Sequence, residues 1–241
     1  MDLGSEDLLA IWVTLKLGFI TTVILLVICT PLAWWLSRPC PKVGGRSGGR
    51  IGVGFFKDVI AAIVSLPMVL PPTVLGFYLL VMMGPKGFLG QAMGALNLPL
   101  LVFSFSGLVV GSVIFSMPIV VQTLKTSFLA IEQSHLDAAA TLGAKPLDRF
   151  FSLVLPLTRH GYLSAAVLGF AHTIGEFGVI LMIGGSIPGQ TKVISMVIYE
   201  HVEALEYANA HALAAIMLVF SFISLLILQV LNKNGASRLR V

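Results

Sequence analysis

Charge is what this chain has least of. Only 11% of its 241 residues are Asp, Glu, Lys or Arg, while 57% are hydrophobic and the mean hydropathy is +0.97. So little polar surface cannot clothe a water-soluble core of this size, and a soluble globular protein is excluded. Cysteine is scarce too: Cys29 lies in an apolar stretch and Cys40 in a basic loop. No disulfide framework is expected, and both thiols read as unpaired. His135, His160, His172, His201 and His211 are scattered without ligand spacing, so neither a metal nor a cofactor is expected. The chain also lacks Gly-x-x-x-x-Gly-Lys followed by Ser or Thr, the loop that cradles nucleotide phosphates. Any energy source must come from another polypeptide. Gly45-Arg46-Ser47-Gly48-Gly49 satisfies a hydrolase pattern, but it lies between basic residues in a loop and reads as a flexible linker.

What is present is length of apolar run. A helix needs roughly 20 apolar residues to cross ~30 Å of hydrocarbon, and such stretches lie at 8–36, 59–83, 99–124, 161–184 and 208–231. The expected fold is an all-α membrane protein with five transmembrane helices in one domain, 1–241. Orientation is set by the cations. Arg38, Lys42, Arg46, Arg50 and Lys57 come after the first span, Lys125, Lys145, Arg149 and Arg159 after the third, and Lys233, Arg238 and Arg240 close the chain; the other side has only Lys86 and Lys192. Cytoplasmic loops accumulate Lys and Arg, which puts the N-terminus, with Asp2, Glu6 and Asp7, outside and the C-terminus inside. The acidic start also argues against a cleaved signal peptide. Lys16, in the outer half of the first span, is expected to snorkel to the headgroups. The net charge of +4 is explained by this topology, so the bilayer is the expected partner and nucleic acid is not.

The inner loop at 125–160 carries the strongest signal. Ile131 to Leu142 are good helix formers, Gly143 can end a helix in the left-handed region, and Pro146 prevents continuation. The expectation is a short helix, a turn and a second helix through Leu147–Leu155, closed by Pro156. Ala138, Ala139 and Ala140 permit close approach of another backbone, with Leu136 and Leu142 as apolar contacts beside Glu132 and Asp137. An interfacial helix resting on the membrane explains the apolar and basic residues but not the small-residue patch with its glycine stop.

Asp137-Ala138-Ala139, three residues, Gly143, nine residues, then Leu153-Val154-Leu155-Pro156 resembles the cytoplasmic loop of ABC importer permeases, Glu-Ala-Ala, three residues, Gly, nine residues, Ile-x-Leu-Pro. The spacing matches; Asp137 and Leu153 replace Glu and Ile and keep charge and apolar character. The resemblance implies a type I importer permease architecture, a homodimer of permease subunits, separate cytoplasmic ATP-binding subunits seated on Asp137, Ala138, Ala139, Leu142, Gly143, Leu155 and Pro156, and capture by an external oxyanion-binding protein. A narrower resemblance, to molybdate permeases, rests on Ser65-Leu66-Pro67-Met68-Val69-Leu70-Pro71-Pro72-Thr73-Val74-Leu75-Gly76, on Gly175-Glu176-Phe177-Gly178 and on Ile183 to Gly189. Sulfate and tungstate permeases share much of this pattern and remain alternatives for the ion.

Transport of a doubly negative ion asks for donors and a favourable field along the path. Pro67, Pro71 and Pro72 disturb the second span and leave a break about midway. A half-helix starting near Pro72 would present its positive end to an anion, with Thr73 as the nearest hydroxyl; a kink that shapes helix packing is the other reading. Glu176 is the acid well inside a span, four residues after His172. It is expected to be protonated, or held by His172 or by a cation on another helix, as a structural or gating element beside Gly175. Gly169, Gly175 and Gly178 in this span, and Gly107 and Gly111 in the third, allow close helix contact. An intramembrane enzyme using Glu176 and His172 as acid and base is the competing class. The outer segment, with Lys192, Glu200, Glu203 and Glu206, reads either as a contact for the binding protein or as a solvated loop.

Overall fold

The structure is a computed structural model and describes residues 4–38 and 51–238. The glycine-rich linker at 45–49, Cys40, Lys42, Arg46, Arg50 and Arg240 lie outside the described residues. Among the described residues twelve α-helices occur in the order α1 Ser5–Ser37, α2 Ile51–Val69, α3 Pro72–Met83, α4 Phe88–Ala95, α5 Phe105–Leu129, α6 Gln133–Thr141, α7 Pro146–Arg149, α8 Leu155–Leu157, α9 Arg159–Ile174, α10 Gly178–Gly184, α11 Ile194–Glu203 and α12 Tyr207–Arg238, with a π-helical turn at Phe150–Val154 between α7 and α8. There is no strand among the described residues.

Among the described residues four apolar stretches are long enough to cross a membrane, at Ser5–Ser37, Pro72–Ala95, Phe105–Leu129 and Tyr207–Val230; α9 and α10 make a fifth if counted together, bent by 59° at their junction. Helix α1 shows why apolarity and burial differ here. Ala10, Val13, Thr14, Leu17, Gly18, Thr21, Leu25, Cys29 and Ala33 recur every three or four residues and are buried, which puts them on one stripe, packed against α5 and α9. Trp12, Phe19 and Val27 on the other faces are exposed, as suits a surface whose solvent is lipid. At its start the Asp7 carboxylate accepts the Gly4 N–H at 2.9 Å. At its end Lys57 of α2 donates to the carbonyls of Trp35 and Arg38 at 2.8 and 2.7 Å, a cation on orphan helix carbonyls.

Among the described residues there are three apolar cores, the smallest formed by Ala10, Ile194, Val197 and Leu213. The first joins α1, α3, α5 and α10 through Leu17, Leu79, Met83, Leu108, Ile180 and Ile183. The second joins α1, α5, α9 and the segment between α5 and α9 through Leu25, Ala33, Val120, Leu124, Phe128, Leu136 and Val154. Helix α12 packs on α9 and α11 at the edge, with Leu218 and Phe222 exposed.

Where the expected runs and the helices differ, the cause is local. The stretch at 59–83 is two helices, because Pro71, with φ −55° and ψ 134°, is extended and Pro72 begins α3, where a missing N–H costs nothing. The stretch at 161–184 is also broken, at Gly175–Phe177. At 99–104 there is no helix; Phe103 has φ +57° and its N–H bonds the Ile183 carbonyl at 2.9 Å. α4 extends the apolar character of α3 beyond residue 83.

Candidate functional site

The segment at 130–158 folds as a hairpin of short helices. Helix α6 ends where Gly143 takes φ +84°, the left-handed region that disfavours a β-carbon. The N–H groups of Gly143 and Ala144 close the turn on the carbonyls of Ala140 and Ala139, at 3.0 and 3.1 Å. Pro146 then starts α7 at a helical N-terminus. The second arm is not the single helix to Leu155 expected from the sequence, and Pro156 does not close it. Pro156 has no N–H to give the Ser152 carbonyl; the chain before it widens into the π turn, in which the Leu155 N–H bonds the Phe150 carbonyl, and continues through Pro156 in α8 towards α9.

Burial divides the hairpin in two. Leu136, expected as an apolar contact for a partner, is 3% exposed and belongs to the core with Leu124 and Phe128, so it anchors the hairpin instead of meeting a partner. Leu142 is 88% exposed, Ala138, Ala140 and Gly143 are exposed beside it, and Ala139 is half-buried. Asp137 is exposed, and its carboxylate accepts from Gln133 Nε2 at 2.8 Å. Leu155 is half-buried and Pro156 exposed. Arg149 reaches back to the Leu136 carbonyl at 3.5 Å, tying the two arms together.

Deeper in the bundle, the two breaks adjoin. α3 and α10 pack side by side, and Gly178 faces Pro72. Pro71, Pro72, Thr73 and Gly175 are exposed on the single chain, so a face of broken helix ends is open to the side of the bundle. Glu176 is 3% exposed, and the buried Ser112 hydroxyl is the polar side chain beside its carboxylate. The Glu176 carbonyl accepts from Ser195 Oγ of α11 at 2.8 Å.

His172 does not hold Glu176. Gly175 ends α9, so residues 172 and 176 no longer share a helical face. His172 Nδ1 instead meets Ser116 Oγ at 2.9 Å, Ser116 meets Thr173 Oγ1 at 3.2 Å, and the imidazole stacks on Phe115 at 4.8 Å between centroids. Ser112, Ser116 and Ser195 carry no sequence signal, because their partners lie on other helices.

On the opposite end, Lys192 is not a free contact. Its side chain, 12% exposed, lies 2.7 Å from Glu200 and 3.3 Å from Glu6. The Glu200 bond is the first cause raising the Lys192 pKa. Lys16 lies over the Phe105 ring at 4.6 Å, a cation–π placement.

Comparison with known proteins points one way. The family model described as "Binding-protein-dependent transport system inner membrane component" matches residues 43–240. The chain is 53% identical over 225 residues to the molybdenum transport system permease protein ModB of Azotobacter vinelandii, covering 93% of this chain and 94% of that one. It is 36% identical over 172 residues to a probable sulfate transport system permease protein of Anthoceros angustus, covering 71% of this chain and 59% of that one. Among solved structures, a chain of a bacterial alginate ABC transporter in complex with an alginate pentasaccharide-bound periplasmic protein matches with a TM-score of 0.71 at 16% identity, covering 93% of this chain and 77% of that one; at that identity the likeness concerns the fold.

Proposed function

Because the chain belongs to the family of inner membrane components of binding-protein-dependent transport systems, we propose that it is the membrane-spanning subunit of a molybdate importer of type I architecture. Five spans, with α9 and α10 as one broken span, carry the N-terminus outside and the C-terminus inside. The observation that carries the reading is the hairpin: anchored by buried Leu136, it offers Leu142, Ala138, Gly143 and Asp137 on an exposed surface. That surface suits the groove of a separate ATP-hydrolysing subunit. Its motion moves the bundle between outward-open and inward-open forms.

The path runs beside the break at Pro71–Thr73. The N-terminus of α3 supplies a positive field there and Thr73 a hydroxyl, which favour a tetrahedral oxyanion without holding it tightly. Because these residues are exposed on one chain, a second copy closes the conduit by facing it. An external oxyanion-binding protein delivers the ion at the end formed by α1, α11 and the α4 segment. Molybdate is favoured over sulfate by degree of likeness, 53% identity over 93% of the chain against 36% over 71%. An intramembrane enzyme is disfavoured, because the acid and base it would use, Glu176 and His172, are not in contact.

The test is uptake of labelled molybdate into vesicles holding this chain, its ATPase and its binding protein. Uptake should require ATP, resist excess sulfate, and be lost in Asp137→Lys or Gly143→Lys while the protein remains inserted. Uptake competed by sulfate as well as by unlabelled molybdate would reassign the ion. Labelling of residues 132–146 from the outer face would overturn the topology.

A further inference from the structure

The cytoplasmic end of α1 is joined to the hairpin by an aromatic knot. The Trp34 ring meets Phe128 of α5 at 5.2 Å and Phe150 of the π turn at 5.4 Å, both edge to face. Phe128 meets Phe150 at 6.4 Å and Tyr162 of α9 at 6.1 Å. The Arg38 guanidinium lies 3.7 Å from the Trp34 ring centroid. Segments distant in sequence therefore converge around one indole, in the favoured geometry of aromatic pairs.

Phe150 reaches this position through the π turn that it opens. A π turn inserts one residue into the helical register, which rotates the helix before the turn by about 100° relative to the helix after it. Within the turn Phe150 and Val154 face the core, while Phe151 is 62% exposed. A second tie extends the connection. Lys57 of α2 donates to the carbonyls of Trp35 and Arg38, so the end of α1 that holds Trp34 also holds α2, and α2 leads directly to the break at Pro71–Thr73.

We infer that Phe150 is the positioning residue that transmits movement of the hairpin to α1 and α2. Its ring, held between Trp34 and Phe128, makes the hairpin move as one body with the ends of α1 and α5, so that a displaced hairpin tilts these helices instead of bending the chain at 144–158. This rests on the reading of the hairpin as the ATPase docking surface. A route of this kind is established only by coupling between its members, which the geometry makes measurable.

The experiment uses the full transporter with ATPase and binding protein in vesicles and counts molybdate ions imported per ATP hydrolysed. Phe150→Leu keeps an apolar side chain and removes the ring; ATP hydrolysis should persist while ions per ATP fall at least about threefold, the scale of one lost aromatic pair. Phe150→Tyr, which restores the ring, should return the ratio to within about twofold of the original. Trp34→Leu should reproduce the loss, and the double variant should lose less than the two single losses combined, since both remove the Trp34–Phe150 contact. An unchanged ratio in Phe150→Leu, or additive losses in the double variant, overturns the assignment. If Phe150→Leu fails to assemble with the ATPase, Trp34→Leu, outside the hairpin, decides alone, and an unchanged ratio there overturns it. Failure of the docking reading shows separately: Gly143→Lys, which leaves the knot intact, would then leave ATPase co-purification and uptake unchanged.

Discussion

A β-carbon placed on Gly178 would stand 2.9 Å from the β-carbon of Pro72 and 3.4 Å from the Thr73 amide nitrogen. The start of α10 thus presses bare backbone against the proline that opens α3, and neither the ring nor the backbone can rotate out of the way. Gly178→Ala is expected to lower stability by about 1–3 kcal/mol through overpacking, read as a lower thermal midpoint of the purified protein in detergent. An unchanged midpoint would mean that the two helix starts separate freely.

The turn of the hairpin makes a different demand. At Gly143 an added β-carbon would meet nothing within 4 Å, yet φ is +84°. Any cost of substitution is therefore backbone strain and not crowding. Gly143→Ala should cost about 1 kcal/mol and Gly143→Asn less, because Asn tolerates the left-handed region. Affinity of the chain for its ATPase, measured in detergent, should fall in the same order; equal binding by Gly, Asn and Ala variants would refute a role for the turn conformation.

The polar contacts around His172 give a prediction about pairs. His172 touches Ser116 and not Glu176, so in double-variant cycles on thermal stability His172→Ala and Glu176→Gln should add within about 0.5 kcal/mol, whereas His172→Ala and Ser116→Ala should not. A coupling between 172 and 176 larger than that between 172 and 116 would restore the acid–base pair.

At the other end of the bundle, Lys192 clasps α1 to α11. The hydrogen bond to Glu200 is the main cause raising Lys192 above its ordinary 10.5. Burial pushes Glu200 up, but the bonds from Lys192 and Ser186 outweigh it and hold the carboxyl below 4.5. The two groups therefore act at opposite ends of the pH range. The Glu200 contribution is present above pH 4.5 and is lost as pH falls through its lower folded value; the Lys192 contribution is present below pH 10.5 and is lost as pH rises through its higher one. Because Glu200 and Glu6 are partly exposed, at 42% and 65%, the clasp should contribute no more than about 1 kcal/mol. The difference in thermal midpoint between wild type and Lys192→Gln should stay constant from about pH 5 to pH 10 and shrink on the acid side. A difference that grows in acid would contradict the clasp.

Residues acting on their neighbours along the chain were legible from the sequence. Low charge and long apolar runs determined that the protein lives in a membrane, since hydropathy is a property of composition over some twenty residues. Gly143 and Pro146 determined the hairpin turn, and Pro71 and Pro72 the break in the second apolar run, because each restricts its own backbone whatever surrounds it. Tertiary structure alone decided that Leu136 points inward while Leu142 points out, that the chain breaks again at Gly175–Phe177, and that His172 turns to Ser116 on α5. It also decided that Lys192 spends its charge on Glu6, 186 residues away, and that Trp34 gathers Phe128 and Phe150. In a chain apolar on every face, periodicity no longer marks which side is buried, so only the packing of one helix on another chooses it.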